Sequence, residues 1–133
     1  MQQPVEHSTR AVAANAASDG SARTVVMTLI GEFDIYSSPR LGTAFARLHD
    51  VSNVVLDLSE MRYLDSTAVT EFIRLHNARK AKGFERETVV ISGDPVRRIF
   101  NILHLADVFK LVERLDDAVA QRNTVIDLDF VAS

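Results

Sequence analysis

The stretch from Val54 to Thr70 reads VVLDLSEMRYLDSTAVT, and it decides the fold. It opens with an apolar, β-branched run typical of a buried strand and ends at Asp65-Ser66-Thr67, where the pattern predicts the start of a helix. A helix start has unpaired backbone N–H groups and a positive dipole end, so it stabilises a nearby phosphate. The simplest interpretation is an N-cap, because Asp, Ser and Thr are preferred capping residues. The motif alone leaves both interpretations open.

Length and composition restrict the class of protein. The chain has 133 residues, of which 47% are apolar and 25% charged, as expected for one globular domain with an ordinary core. Its net charge of −3 gives no reason to expect direct nucleic-acid binding. The absence of cysteine excludes disulfides and Cys-based metal sites. The polar start and the lack of a long apolar segment predict a cytoplasmic protein without membrane insertion, and we expect a monomer.

The order of elements predicts an α/β fold. Strand and helix patterns alternate as β-β-α-β-α-β-α-β-α, which indicates a mixed, mostly parallel sheet with helices packed on it. A weak edge strand over Thr9–Asn15 and a strong strand over Thr24–Phe33 are predicted to form an N-terminal antiparallel hairpin. The Asp-Gly pair within Ser18–Ser21 suits the turn between them. Gly31, inside the second strand, indicates a bulge or a close backbone approach.

Three segments follow from this order. Residues 1–7 are expected to be a disordered tail because they offer little apolar surface. Residues 8–122 form the predicted domain. Residues 123–133 are a C-terminal tail in which Thr124–Val131 alternates like an extra strand, but the sequence does not identify what that strand pairs with.

Other kinds of site are not supported. The four histidines share no metal-ligand spacing, and no Gly-rich phosphate loop or nucleophile elbow is present, so we expect no metal, no cofactor and no catalysis. One basic stretch is either a solvated helix face or a docking edge for an acidic partner. Its residues are Arg74, Arg79, Lys80, Lys82 and Arg86.

Four motifs in order carry a resemblance to a known family. They are GEFD at 31–34, VVLDL at 54–58 with YLDST at 63–67, DPVRRIF at 94–100 and LADVF at 105–109. Over about residues 24–120 the chain resembles STAS-domain proteins, in particular the bacterial anti-sigma factor antagonists. The resemblance implies a single STAS-like domain.

The resemblance also implies a function. In that family the unmodified protein binds an anti-sigma factor, which is an ATP-dependent serine/threonine kinase, and so frees a sigma factor. The kinase phosphorylates the second hydroxyl residue of the helix start, which corresponds to Thr67, with Ser66 as the alternative. A PP2C-type phosphatase would reset the switch. The implied partner-binding residues are Asp34, Asp65, Ser66, Thr67, Ala68, Val69, Glu71 and Phe72.

The chain departs from the family motif twice. Thr67 replaces the usual Ser, which keeps the hydroxyl but stiffens the side chain, and Ala68 replaces the usual Gly, which adds a β-carbon where a partner would approach. From the residues we predict Ser66 as the N-cap and Thr67 as the first helical residue, with its side chain turned outward.

Two other functions stay open. One is a STAS subunit of a membrane-lipid ABC transporter, which docks on an ATPase and needs no phosphorylation. The other is a small-ligand or nucleotide sensor, which an apolar pocket beneath the 32–38 loop would favour.

Overall fold

The structure, a computed structural model, describes residues 5–9, 23–122 and 124–132, the first range as backbone only. Its strands are β1 Val5–Thr9, β2 Thr24–Phe33, β3 Asn53–Asp57, β4 Met61–Leu64, β5 Thr88–Val90, β6 Lys110–Val112 and β7 Val125–Val131. Its helices are α1 Ser38–Ala46, α2 Ser66–Ala81, α3 Asp94–Ile102 and α4 Leu115–Val119, with a 3₁₀ turn at Leu105–Asp107.

The sheet is mixed and mostly parallel, as predicted. Its strand order is β1-β7-β2-β3-β5-β6, and all of these pairs are parallel except the antiparallel pair of β1 with β7. The central strand β2 is buried on both faces, since Val25, Met27 and Leu29 point to one side and Val26 to the other. This explains why β2 reads as a nearly continuous apolar run rather than an alternating one.

The C-terminal tail supplies an interior strand. Residues Val125–Val131 form β7, which lies between β1 and β2 and pairs with β2 from Thr24 to Ile30. Phe130 on β7 is buried against Phe33, with ring centroids 5.7 Å apart. The alternation over 124–131 is therefore that of a real strand, and its place beside β2 is what the sequence did not reveal.

The predicted N-terminal hairpin is wrong in its pairing. β1 is antiparallel, but it pairs with β7 rather than with β2, because β7 occupies the edge of β2 that the hairpin would need. Residues 5–7, expected to be disordered, lie in β1. The predicted edge strand keeps only Thr9 inside β1, and the rest of it, like the turn at Ser18–Ser21, lies outside the described residues.

The sequence prediction also missed β4. After β3 the chain turns at residues 58–60 and pairs again, in parallel, with the last residues of β2. The register shifts between Gly31 and Glu32, and Gly31 has a φ of 109°, so the bulge predicted at this glycine is confirmed. Such a φ suits glycine because a side chain would be strained there.

Two hydrophobic clusters enclose the sheet. The larger lies under α1, α2 and α3, and the smaller lies under α4 on the opposite face. Phe72 of α2 is central to the larger cluster, since its ring lies 5.2 Å from Phe45 and 6.2 Å from both Phe100 and Phe109. These contacts fix the position of α2 on the sheet, and with it the position of the helix start at Ser66.

A buried ion pair fixes the other end of α2. Arg79 is fully buried and pairs with the buried carboxylate of Glu87, and it also donates to the carbonyls of Val51, Ser52 and Glu85. One member of the predicted basic stretch is thus a structural residue and not part of a solvated face. Removing one partner of such a pair is strongly destabilising because the other charge stays buried without compensation.

Candidate functional site

Two neighbouring strand ends create the site. Phe33 at the end of β2 is in register with Leu64 at the end of β4, so the residues that follow, Asp34 and Asp65, leave the sheet side by side. The backbone N–H of Asp65 donates to the carbonyl of Phe33 at 3.0 Å. The loop at 34–37 and the start of α2 are therefore held together by the pairing of β2 with β4.

Asp65, and not Ser66, is the N-cap of α2. Its backbone is extended (φ −105°, ψ −179°), and its Oδ1 accepts from the N–H groups of Thr67 and Ala68 at 3.0 and 3.1 Å. The predicted cap at Ser66 is wrong because a carboxylate one residue earlier already satisfies these donors. Ser66 becomes the first helical residue, and its side chain is exposed.

Thr67 is the second helical residue, and its hydroxyl does not point freely outward as predicted. Its Oγ1 donates to Asp65 Oδ1 at 2.6 Å and lies 3.1 Å from the hydroxyl of Ser38. Ser38 also lies within 2.9 Å of the carbonyl of Asp34. Because Ser38 has a single hydroxyl proton, it donates to one of these acceptors at a time. Thr67 is half-buried, and both of its hydrogen-bond partners would have to yield during a reaction at Oγ1.

Asp34 organises the loop. Its carboxylate accepts from the backbone N–H groups of Tyr36 and Ser37 at 2.9 and 3.3 Å, which makes an Asx turn. The hydroxyl of Ser37 accepts from the N–H of Asp34, so it closes this turn instead of capping α1. Asp34 is half-buried and lies at the same end of the sheet as Asp65.

The remaining residues of the implied partner-binding set lie elsewhere. Ala68, Val69 and Phe72 are buried in the larger hydrophobic cluster, so they cannot form a docking surface in this conformation. The extra β-carbon of Ala68 therefore points into the core and not toward a partner. Glu71 pairs with Arg74 and faces α1, where a β-carbon on Gly42 would lie only 2.8 Å from Glu71 Oε1.

Three large exposed side chains lie on the loop after β2 and on β4, the two segments that meet at this site. Ile35 and Tyr36 in the loop are 60% and 87% exposed, and Tyr63 on β4 is 49% exposed. Large apolar groups at such exposure are informative when they cluster, because they mark binding surfaces. We call Ile35, Tyr36, Tyr63, Ser66 and Thr67 the switch surface. The sequence prediction missed its apolar members, although two of them directly follow Asp34 in a turn, where a core role is not expected.

The carboxylate of Asp65 is the electrostatic centre of this surface. Burial raises its pKa, but hydrogen bonds from the hydroxyl of Thr67 and from the N–H groups of Ala68, Thr67 and Ile35 outweigh burial and hold the pKa below its usual value. The contact between the hydroxyls of Ser38 and Thr67 links the loop to the helix start. Asp65 is therefore charged at neutral pH, and any second negative charge on Thr67 would lie beside it.

We predict that Asp65→Asn lowers the free energy of unfolding by about 1 kcal/mol at neutral pH, since an amide keeps one acceptor but loses the charge. Because the pKa of Asp65 is lower in the folded state, its negative charge stabilises the folded protein fully at pH values above the unfolded-state pKa of about 3.9. This stabilisation is lost as the pH falls through the folded-state pKa. Urea unfolding from pH 7 to pH 2 should show the two proteins converging in acid. If the difference in free energy of unfolding between the two proteins did not change with pH, the charge of Asp65 would not be the source of the stabilisation.

Within the described ranges no group of three or more His, Cys, Asp or Glu side chains is placed to hold a metal ion. The helices described there are also too short or too polar to cross a bilayer.

Comparison with known proteins places this geometry in a family. The family model of the STAS domain matches residues 15–118. A comparison with curated protein sequences gave no match.

Solved structures agree with the family model. The anti-sigma factor antagonist SpoIIAA, in its unphosphorylated form, superposes with a TM-score of 0.60 at 14% identity, over 86% of this chain and 94% of SpoIIAA. An anti-sigma factor antagonist from Mycobacterium paratuberculosis superposes with a TM-score of 0.58 at 25% identity, over 68% of this chain and 77% of the antagonist. The STAS domain of a SulP transporter from Vibrio cholerae superposes with a TM-score of 0.52 at 15% identity, over 81% of this chain and 90% of that domain. The chain belongs to the STAS domain family.

Proposed function

We propose that this protein is a cytoplasmic, non-catalytic anti-sigma factor antagonist. In its unmodified form it binds an anti-sigma factor kinase and so frees a sigma factor, and phosphorylation of Thr67 stops that binding. The likeness to the mycobacterial antagonist, at 25% identity, supports this class of function. The likeness to the SulP domain is at 15% identity and concerns the fold alone, so it does not favour a transporter subunit.

The observation that carries the proposal is the setting of the Thr67 hydroxyl. It lies at the start of a 16-residue helix, next to an exposed serine and beside exposed apolar side chains. A hydroxyl whose only role is to cap a helix needs no such surroundings. Here the cap is Asp65, so the hydroxyl of Thr67 is an additional polar group on a surface that is otherwise suited to bind another protein.

Phosphorylation would change this surface by charge. A phosphate adds about −1.5 to −2 charges at pH 7, and the modified oxygen can no longer donate to Asp65. The carboxylate that lies 2.6 Å from Thr67 Oγ1 would then face a second anion. In the free protein the dipole of the helix N-terminus partly offsets this repulsion, because it favours negative charge. An interface that buries both anions without matching cations would be strongly destabilised.

The choice of Thr67 over Ser66 rests on the family position, because exposure alone would favour Ser66. Thr67 is the half-buried hydroxyl, and a kinase must draw it away from Asp65 and Ser38.

We predict that the cognate anti-sigma factor kinase with ATP places one phosphate on Thr67. Thr67→Ala should remove the phosphorylation and leave a protein that binds the kinase constitutively, while Thr67→Glu should fold and fail to bind. Intact-mass and fragment mass spectrometry locate the phosphate, and gel filtration reports the complex.

Ser66→Ala is the matched control, because it removes the neighbouring hydroxyl and leaves the Asp65 cap intact. It should remain a full kinase substrate with unchanged stability. Phosphate on Ser66, or on neither residue with a kinase shown to be active on another substrate, would refute the assignment.

We predict that Tyr36→Ser weakens binding of the unmodified protein to the anti-sigma factor by at least about tenfold, as for a central aromatic contact. Ile102→Ser is the control, because Ile102 is also an exposed hydrophobic side chain (65%) and lies at the end of α3, outside the switch surface. Isothermal titration compares the two. If both variants lost affinity equally, or if only Ile102→Ser lost affinity, the docking surface would lie elsewhere.

A further inference from the structure

A cavity of about 180 Å³ lies under the second half of α1, away from the switch surface. Its apolar walls come from α1, from the turn that follows it, from β2 and from β7: Val25, Met27, Ala44, Leu48, Val51, Ile126 and Leu128. All of these side chains face the larger hydrophobic cluster or pack against it. A closed cavity of about 150 Å³ with such walls is able to hold benzene, and this one has a similar volume but is open to solvent on one side.

Two arginines complete the lining of this α1 cavity. Arg23 is half-buried and Arg47 is exposed, so the charged groups lie toward solvent and the apolar walls lie inside. No ion pair links either guanidinium to a carboxylate of the described residues. An apolar interior with two cations at its open side is complementary to an amphipathic anion, and a planar guanidinium suits a carboxylate.

We propose that the α1 cavity binds the carboxylate of a medium-chain fatty acid, with the chain between α1 and the sheet and the head group at Arg23 and Arg47. Because α1 ends at Ala46, its carbonyl end lies near the head group, and a helix C-terminus does not attract anions. The two arginines must therefore supply the attraction. This proposal is independent of phosphorylation and differs from the sensor alternative considered above, whose pocket would lie beneath the 32–38 loop.

The site is well placed to influence the switch surface. α1 carries Ala44 over the cavity at one end and Ser38 beside Thr67 at the other. A ligand that moves α1 would therefore change the contact between Ser38 and Thr67, which are 3.1 Å apart between hydroxyl oxygens.

The test is isothermal titration of the full chain with sodium octanoate, followed by methyl NMR. We expect saturable binding with shifts at Val25, Met27 and Leu48, while 1-octanol, which has the same chain without a charge, binds about tenfold more weakly. Arg23→Gln and Arg47→Gln should each weaken octanoate binding by about five- to tenfold without changing the urea midpoint. Arg98→Gln, on the exposed side of α3, is the matched control and should bind like the wild type.

Three results would overturn the proposal. They are no saturable binding of octanoate, equal affinity in both arginine variants and the wild type, or nuclear Overhauser contacts that place a segment of residues 10–22 in the cavity. Each of these results can be told apart from a failure of the proposed function, because the titration uses neither kinase nor ATP.

Discussion

The carboxylate of Asp65 is the interaction on which the functional part of this structure depends. It accepts hydrogen bonds from the N–H groups of Thr67 and Ala68 in the first turn of α2 and from the hydroxyl of Thr67. One side chain therefore caps the helix and orients the candidate phosphorylation site, whose hydroxyl in turn lies 3.1 Å from that of Ser38 at the end of the loop. Because the charge is already compensated by these donors, a second anion at the same place meets repulsion rather than unused donors.

This arrangement depends on a sheet that is rigid up to its edge. β2 and β4 end side by side, and the aromatic cluster around Phe72 and the buried pair of Arg79 with Glu87 hold the two ends of α2. A helix anchored in this way cannot tilt to absorb a local change. Under the proposed function, a modification at Thr67 would therefore act on the surface contacts near it and leave the core intact, as a reversible switch between partners requires.

Much of the fold could be predicted from local patterns, and the errors have a common cause. The buried run at 24–33, the α2 pattern and the glycine bulge at residue 31 are local features, and the structure has them. The pairing of β7 with β2 joins residues about a hundred positions apart, and nothing in the alternation of 124–131 encodes that pairing. The four residues of β4 are too short a run to distinguish from a connector.

The candidate site shows the same limit at the level of side chains. The motif YLDST located the helix start, but capping residues compete, and a carboxylate displaced the predicted serine by one position. The contact between Ser38 and Thr67 spans 29 residues and has no sequence signal. Phe72 and Val69 were assigned to the partner surface through family position, although helical spacing alone already places them on the face that packs against the sheet.

The most direct test of the central claim is an amide NMR spectrum of the protein before and after stoichiometric phosphorylation of Thr67. If Asp65 links the helix start to the loop through Thr67 and Ser38, the amide signals of Ile35, Tyr36, Thr67 and Ala68 will shift together, while those of β3 and β5 stay in place. The account is contradicted if the shifts are confined to Ser66 and Thr67 with Ile35 unchanged, because the carboxylate would then not couple the two parts of the surface.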